Sequence, residues 1–233
     1  MDGVRAVIIG QCYEGDLREP LERLGIKVLF CPPNPVPDAR LACHADLSLF
    51  YMGGKSILVA RQVAEERFLQ GLSDIGLEPV ICGGPKGERY PLDAAMCAAF
   101  AGGFVFHNPK ISCPELLEWA GDRLVPIRQG YARCALCALG DAAITADPGV
   151  AAAAESAGLK VLRITPGHIE LTGFDYGFIG GSAACINDVV AFTGRLDGHP
   201  DGDRIVSFIR GLGKSPLFLT DNKIFDVGSM IVV

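Results

Sequence analysis

The stretch Asp147-Pro148-Gly149-Val150-Ala151-Ala152-Ala153-Ala154-Glu155-Ser156-Ala157-Gly158-Leu159-Lys160-Val161-Leu162-Arg163-Ile164 carries one complete structural sentence. Asp147 is an N-cap residue, because its carboxylate can accept from the free amides of a first helical turn. Pro148 fits the position after it, where a missing N–H costs nothing. An alanine-rich segment follows and stops at Gly158, a residue suited to the left-handed backbone of a helix end. A short apolar strand, Leu159 to Ile164, then begins.

The same sentence recurs four more times. Helix Glu14 to Leu24 stops at Gly25 before Ile26 to Phe30. Helix Gln62 to Ile75 stops at Gly76 before Leu77 to Ile81, and helix Pro114 to Ala120 at Gly121 before Leu124 to Ile127. Helix Asp203 to Leu212 stops at Gly213 before Pro216 to Leu219. The five stops lie roughly 37 to 55 residues apart, the spacing of arrayed supersecondary units. The interval from Gly213 to the C-terminus, continued from Met1 to Gly25, is about one more repeat. A circular array whose termini share one unit has this spacing. It places the N-terminal strand Ala6 to Ile9 beside Met230 to Val233. Apolar hairpins precede the helices, as in Leu47 to Tyr51 with Ile57 to Val59, and Ala135 to Leu139 with Ala142 to Thr145. Each unit therefore reads strand–strand–strand–helix. The predicted architecture is an α/β propeller of five pseudo-repeated units, in a single domain over residues 1–233. An ordinary doubly wound α/β sheet is the alternative.

Composition narrows the function classes. A net charge of −6 and the lack of any Lys/Arg run argue against nucleic acid and against an anionic membrane surface. The N-terminus enters a short apolar strand without the pattern of a secretory signal, and no apolar run is long enough to span a bilayer. The nine cysteines follow no framework spacing, and Cys31, Cys82 and Cys97 sit in apolar segments. Free, buried thiols and a cytoplasmic location are the expectation.

Several polar residues interrupt apolar segments. His168 and Glu170 alternate with Ile169 and Leu171, so a strand there would place both polar side chains on one face. An imidazole beside a carboxylate can serve as a general acid/base or grip a cation. His44 and Asp46 repeat that spacing. Arg133, between Ala132 and Cys134 in what reads as a hydrophobic strand, must pair with an anion wherever it is buried. Its partner is either a ligand carboxylate or a residue such as Asp46, Glu170 or Asp175. Cys134-x-x-Cys137 lacks a second ligand pair at finger-like spacing, and Cys82 to Gly87 lacks the pattern of a phosphate loop. No metal and no cofactor are expected.

Gly167-His168-Ile169-Glu170, just after the fourth repeat strand, resembles the His-x-Asp motif of the guanidino-modifying enzymes, the pentein superfamily of deiminases and dimethylargininases. Cys43 to Ser48 is similar to its early F-x-R-D motif, with Asp46 as the matching carboxylate. Gly130 to Cys134 resembles its S-x-R-T-N segment, with Arg133 as the matching arginine. The stretch Gly130 to Gly181, including Tyr176-Gly177-Phe178-Ile179-Gly180-Gly181, also looks like a bacterial family of uncharacterised proteins of that fold. The resemblance implies a five-unit propeller with a guanidino or amino-acid-like ligand in a central pocket. His168, Glu170 and Asp46 would stand at catalytic positions, and Asp46, His44, Arg133, Glu170 and Ser229 would contact the ligand.

Two features depart from the superfamily. Ala101-Gly102-Gly103-Phe104 has no carboxylate where E-G-G-D is expected, and Ser229 or Gly228 falls near the place of the nucleophilic cysteine. Binding without ordinary deiminase chemistry is therefore expected. A hydrolase or amidinotransferase with a displaced nucleophile, Cys134, Cys185 or Ser229, is the alternative. A protein-interaction ring is a third.

Overall fold

The computed structural model describes residues 4–233. Its backbone hydrogen bonds form five three-stranded sheets. The second unit shows the plan: β3 (Leu49–Gly53) runs antiparallel to β4 (Ser56–Ala60), α2 (Glu66–Asp74) crosses over, and β5 (Glu78–Cys82) returns parallel to β4. The third has β6 (Ala99–Ala101), β7 (Phe104–His107), α3 (Pro114–Ala120) and β8 (Leu124–Pro126). The fourth opens with a one-turn helix, α4 (Ala132–Ala135), then β9 (Leu136–Ala138), β10 (Ala142–Thr145), α5 (Pro148–Ser156) and β11 (Lys160–Arg163). The fifth has β12 (Ala183–Ile186), β13 (Val189–Phe192), α6 (Gly202–Gly211) and β14 (Ser215–Phe218).

The remaining sheet joins the two ends of the chain. β1 (Ala6–Gly10) leads through α1 (Glu14–Glu22) to parallel β2 (Lys27–Cys31), and β15 (Ile231–Val232) pairs antiparallel with β1 through Val7 to Val232 and Ile8 to Ile231. The terminal pairing expected from the repeat spacing is thus present. Around the axis the inner strands lie side by side, β3 next to β15, then β12, β9 and β6. The strand–strand–strand–helix reading starts each unit at the outer strand of the preceding sheet. Cut by sheet, the order is strand–strand–helix–strand.

Local chemistry explains the regularity. Asp147 accepts from Gly149 N and Val150 N at 2.7 and 2.9 Å, so the cap forms as read. Gly158 has φ 88°, a left-handed backbone that a Cβ would disfavour. Middle strands such as β1 are buried throughout, because each is covered by hydrogen-bonded neighbours and by helices. Outer strands such as β5 and β11 are largely exposed.

Three segments depart from the sequence expectation. His44 and Asp46 are not on a strand: residues Ala45–Leu47 form a 3₁₀ turn, fixed by Leu47 N to His44 O and by Asp46 N to Gly228 O. Arg133 lies in α4, not in a strand, since Arg133 N donates to Cys97 O and the Cys134 carbonyl is taken by Gly180 N and Gly181 N. His168 and Glu170 lie in a loop. Gly167, at φ 95°, ends the extended backbone, and Glu170 returns only as an isolated bridge to Phe225. The thiols are also not all free, because Cys12 and Cys43 form a disulfide. Among the described residues, no helix is long and apolar enough to cross a membrane.

His107, on β7, is fully buried and holds three segments together. Its Nε2 lies 3.0 and 3.2 Å from the carbonyls of Ala94 and Gly130, and its Nδ1 lies 2.5 Å from Ser112 Oγ. Burial pushes its pKa down to about 4. The folded protein keeps it neutral, while the unfolded chain protonates it below its ordinary value. Its contribution is therefore present at neutral pH and lost as pH falls from the unfolded value towards 4. Urea unfolding of native protein and of His107→Gln should show the stability gap between them shrinking by roughly 3 kcal/mol between pH 7 and pH 4. A gap independent of pH would contradict this assignment.

Candidate functional site

Asp46 is a carboxylate buried at the axis, with only 1% of its surface exposed. Its 3₁₀ turn aims it at three donors brought from distant parts of the chain. Oδ2 accepts from Ser229 Oγ at 2.9 Å, Cys134 Sγ at 2.7 Å and Cys97 Sγ at 3.5 Å. Oδ1 is buried with no hydrogen-bond partner. Ser229 is itself wholly buried, at φ 68°, and lies 3.1 Å from Gly180 O. Its hydroxyl proton has two acceptors in reach, one of them the carboxylate.

A second carboxylate, Asp226, sits nearby at 3% exposure. Phe178 N and Gly228 N each donate to it at 2.8 Å. Burial raises its pKa, and the nearby His44 opposes that shift. His44 is also buried, and its Nε2 has no partner. The thiols of Cys134 and Cys97 are both pushed up, Cys134 first by its hydrogen bond with Cys97 and then by burial, Cys97 first by burial. Tyr13, whose ring lies 6.4 Å from that of His44, has its phenol raised by burial.

Two cavities flank Asp46 and His44. The larger, of about 490 Å³, opens along the axis and is lined by inner-strand residues of all five sheets: Phe50, Phe100, Ala138, Cys185 and Ile231. Asp46 and Arg133 also line it. Arg133 is half-buried and donates only to Met230 O, at 3.4 Å. Among the described residues it makes no ion pair. The smaller cavity, of about 290 Å³, is lined by His44, Cys134, Asp226 and the aromatic rings of Tyr131, Tyr176 and Phe178.

Of the residues chosen from sequence, the structure brings Asp46, His44 and Ser229 together and sets Arg133 at the same cavity as Asp46. His168 and Glu170 do not join them. The His168 ring stacks edge-on to His199 at 5.4 Å. Glu170 faces Lys223 at 3.3 Å, more than half exposed, beside a third cavity of about 400 Å³ that Tyr13 and Asp226 also line. Cys97, Asp226 and Tyr13 belong to the cluster but carry no sequence motif. For Asp226, as for His44, the available signal was the glycines packed against it. A Cβ on Gly181 would stand 2.0 Å from Asp226 Oδ1, and one on Gly228 would stand 2.3 Å from His44 Cα.

A family model described as a family of unknown function, DUF6873, matches residues 8–231. The chain belongs to that family. A search of curated proteins finds no match to this DUF6873 member. Solved structures similar to it share its fold. DDAH from Pseudomonas aeruginosa, a cysteine-to-serine mutant complexed with citrulline, is 10% identical with a TM-score of 0.54, over 93% of this chain and 92% of that one. A dimethylarginine dimethylaminohydrolase adduct with S-methyl-L-thiocitrulline is 10% identical with a TM-score of 0.57, over 92% of each chain. ArgZ, a cyanobacterial arginine dihydrolase, is 14% identical with a TM-score of 0.55, over 98% of this chain but 38% of that one. The fold is the pentein-like propeller, and its known hosts here are guanidino-modifying enzymes.

The close approach at Gly181 makes a test of this packing. Gly181→Ala should lower stability by about 2 kcal/mol or more, because the new methyl displaces Asp226 from two backbone donors. An unchanged thermal midpoint would show that the Asp226 loop is free to move.

Proposed function

We propose that this DUF6873 protein binds a small amino-acid-like or guanidino metabolite in the 490 Å³ axial cavity and does not hydrolyse it by ordinary deiminase chemistry. Asp46 Oδ1 would accept from the cationic head, and the Arg133 guanidinium would pair with the ligand carboxylate. The observation that carries this reading is the bare Oδ1: a buried carboxylate oxygen without a donor is costly, and a cationic ligand supplies the donor. Arg133, unpaired at the same cavity, supplies the complementary charge. The cavity's size suits such a ligand. The likeness to pentein structures adds support, since one similar structure holds citrulline and another is of an arginine dihydrolase.

Ordinary hydrolysis needs a thiolate poised at the ligand carbon. Near the last strand this chain has Ser229, which is wholly buried and lines neither axial cavity. His168, matched from sequence to the general acid/base, stands apart beside His199. One observation favours the second reading, covalent chemistry with a displaced nucleophile: Cys185 lines the ligand cavity and is only partly buried.

Thermal melts with arginine, agmatine, methylated arginines, citrulline and other amino acids test the proposal. A binder at one hundred times its Kd should add about 2.7 kcal/mol, a rise of several degrees. Asp46→Ala and Arg133→Met should each abolish most of that rise, whereas His168→Ala should leave it intact. No citrulline, urea or free amine should accumulate. Turnover that Cys185→Ala removes would establish the second reading, and the absence of any binder in this class would sink the first.

A further inference from the structure

We propose that His44, Asp46 and Cys134 form a site for a divalent transition metal of the zinc class. One donor atom from each lies within 4.8 Å of the other two, so a single ion is within reach of all three after small side-chain adjustments. The donors are an imidazole nitrogen, a carboxylate oxygen and a thiol sulfur, a set that zinc and its borderline neighbours accept and that magnesium and calcium do not. All three residues are almost completely buried, at 3%, 1% and 3% exposure.

The independent observation is the pair of orphaned atoms. His44 Nε2 and Asp46 Oδ1 are both buried with no hydrogen-bond partner. Folded proteins satisfy the great majority of such groups, and an ion gives these two a partner at once. Neither atom can satisfy the other's neighbours by sharing: Asp46 already takes three donors on Oδ2, and His44 makes no hydrogen bond through Nε2.

Charge and access fit as well. Binding replaces the Cys134 thiol proton, which leaves to solvent, so one thiolate and one carboxylate offset the charge of the divalent ion. His44 and Cys134 line the 290 Å³ cavity, which gives the ion a route in and room for a water as the fourth ligand. Asp46 lines the other cavity. The ion would take the same Asp46 oxygen, Oδ1, that the ligand reading gives to the cationic head, so the two compete at that atom and are told apart by Arg133, which the metal does not need.

One further group of donors exists among the described residues, Cys82, Cys113 and Glu115, and it has to be excluded by experiment. The test is titration of chelator-treated, full-length protein with Co²⁺ and then Zn²⁺. One equivalent of Co²⁺ should bind with thiolate charge-transfer and visible d–d absorption, and Zn²⁺ should displace it. Cys134→Ser should remove the charge-transfer band, and His44→Gln should weaken binding at least tenfold, while Cys82→Ala leaves both unchanged. X-ray absorption of the native protein with Zn²⁺ needs no variant, and it should show one sulfur among nitrogen and oxygen donors. A shell with no sulfur, a shell with two, loss of binding in Cys82→Ala, or no stoichiometric binding would each overturn the assignment. Metal binding that survives Arg133→Met separates this result from the ligand reading.

Discussion

A carboxylate placed where five units converge must be provided with donors or it unfolds its own surroundings. Asp46 meets that constraint with Ser229, Cys134 and Cys97, which reach it from the approach to the last strand, from α4 and from the loop before β6. Its own amide is fixed by the Gly228 carbonyl. The chain's two ends are therefore joined twice, by the pairing of β1 with β15 and by the Ser229–Asp46 contact across most of the sequence. Glycine at 181 and 228 is required for the same reason, since side chains there would push Asp226 and His44 out of place. Closing the propeller and building the site are one packing problem.

That arrangement satisfies one face of the carboxylate and leaves the other bare. A buried ion pair or charge network is poor evidence for stability, because desolvation cancels much of what the contacts contribute. Three donors on one oxygen beside an empty second oxygen is an arrangement that a stability-driven core has no reason to keep. Buried polar atoms left without a partner beside a cleft call for an explanation in function. Here the geometry sharpens that inference, because the bare atoms of Asp46 and His44 belong to residues at two different cavities. The pentein fold supplies the axis and the cavities, but the chemistry depends on which side chains stand there. In this DUF6873 member they include a wholly buried serine, Ser229, against Asp46.

What the sequence disclosed follows a physical division. Helix stops, the Asp147 cap and the alternation of apolar segments are set by contacts within a few residues, so Gly158, Pro148 and the five repeats were readable. The terminal pairing followed from spacing alone. Asp46 and Ser229 were singled out through resemblance, and His44 through its spacing to Asp46. His168 and Glu170 were misplaced because their i, i+2 spacing was read as strand geometry. That segment is a loop, bent at Gly167 and anchored where Thr165 N donates to Asp201. Arg133 was read as a strand residue because its neighbours are apolar, although its helical turn is fixed by Cys97 and by Gly180 and Gly181, far away in sequence. Cys97 left no local trace and Asp226 only the glycines packed against it, since their role exists only once distant segments meet. The grouping of His44 with Cys134 is hidden in the same way.

Asp46 is a carboxylic residue for what it binds and not for what it holds together. Asn fits the same space: its oxygen can take the three donors now on Oδ2, and its amide nitrogen stands where Oδ1 is bare. The most direct measurement is the unfolding free energy of Asp46→Asn against the native protein, both without ligand and with chelator present. The variant should be at least as stable as the native chain, because a buried carboxylate with an unpartnered oxygen has been removed. A variant several kcal/mol less stable would contradict it and make Asp46 a structural acceptor.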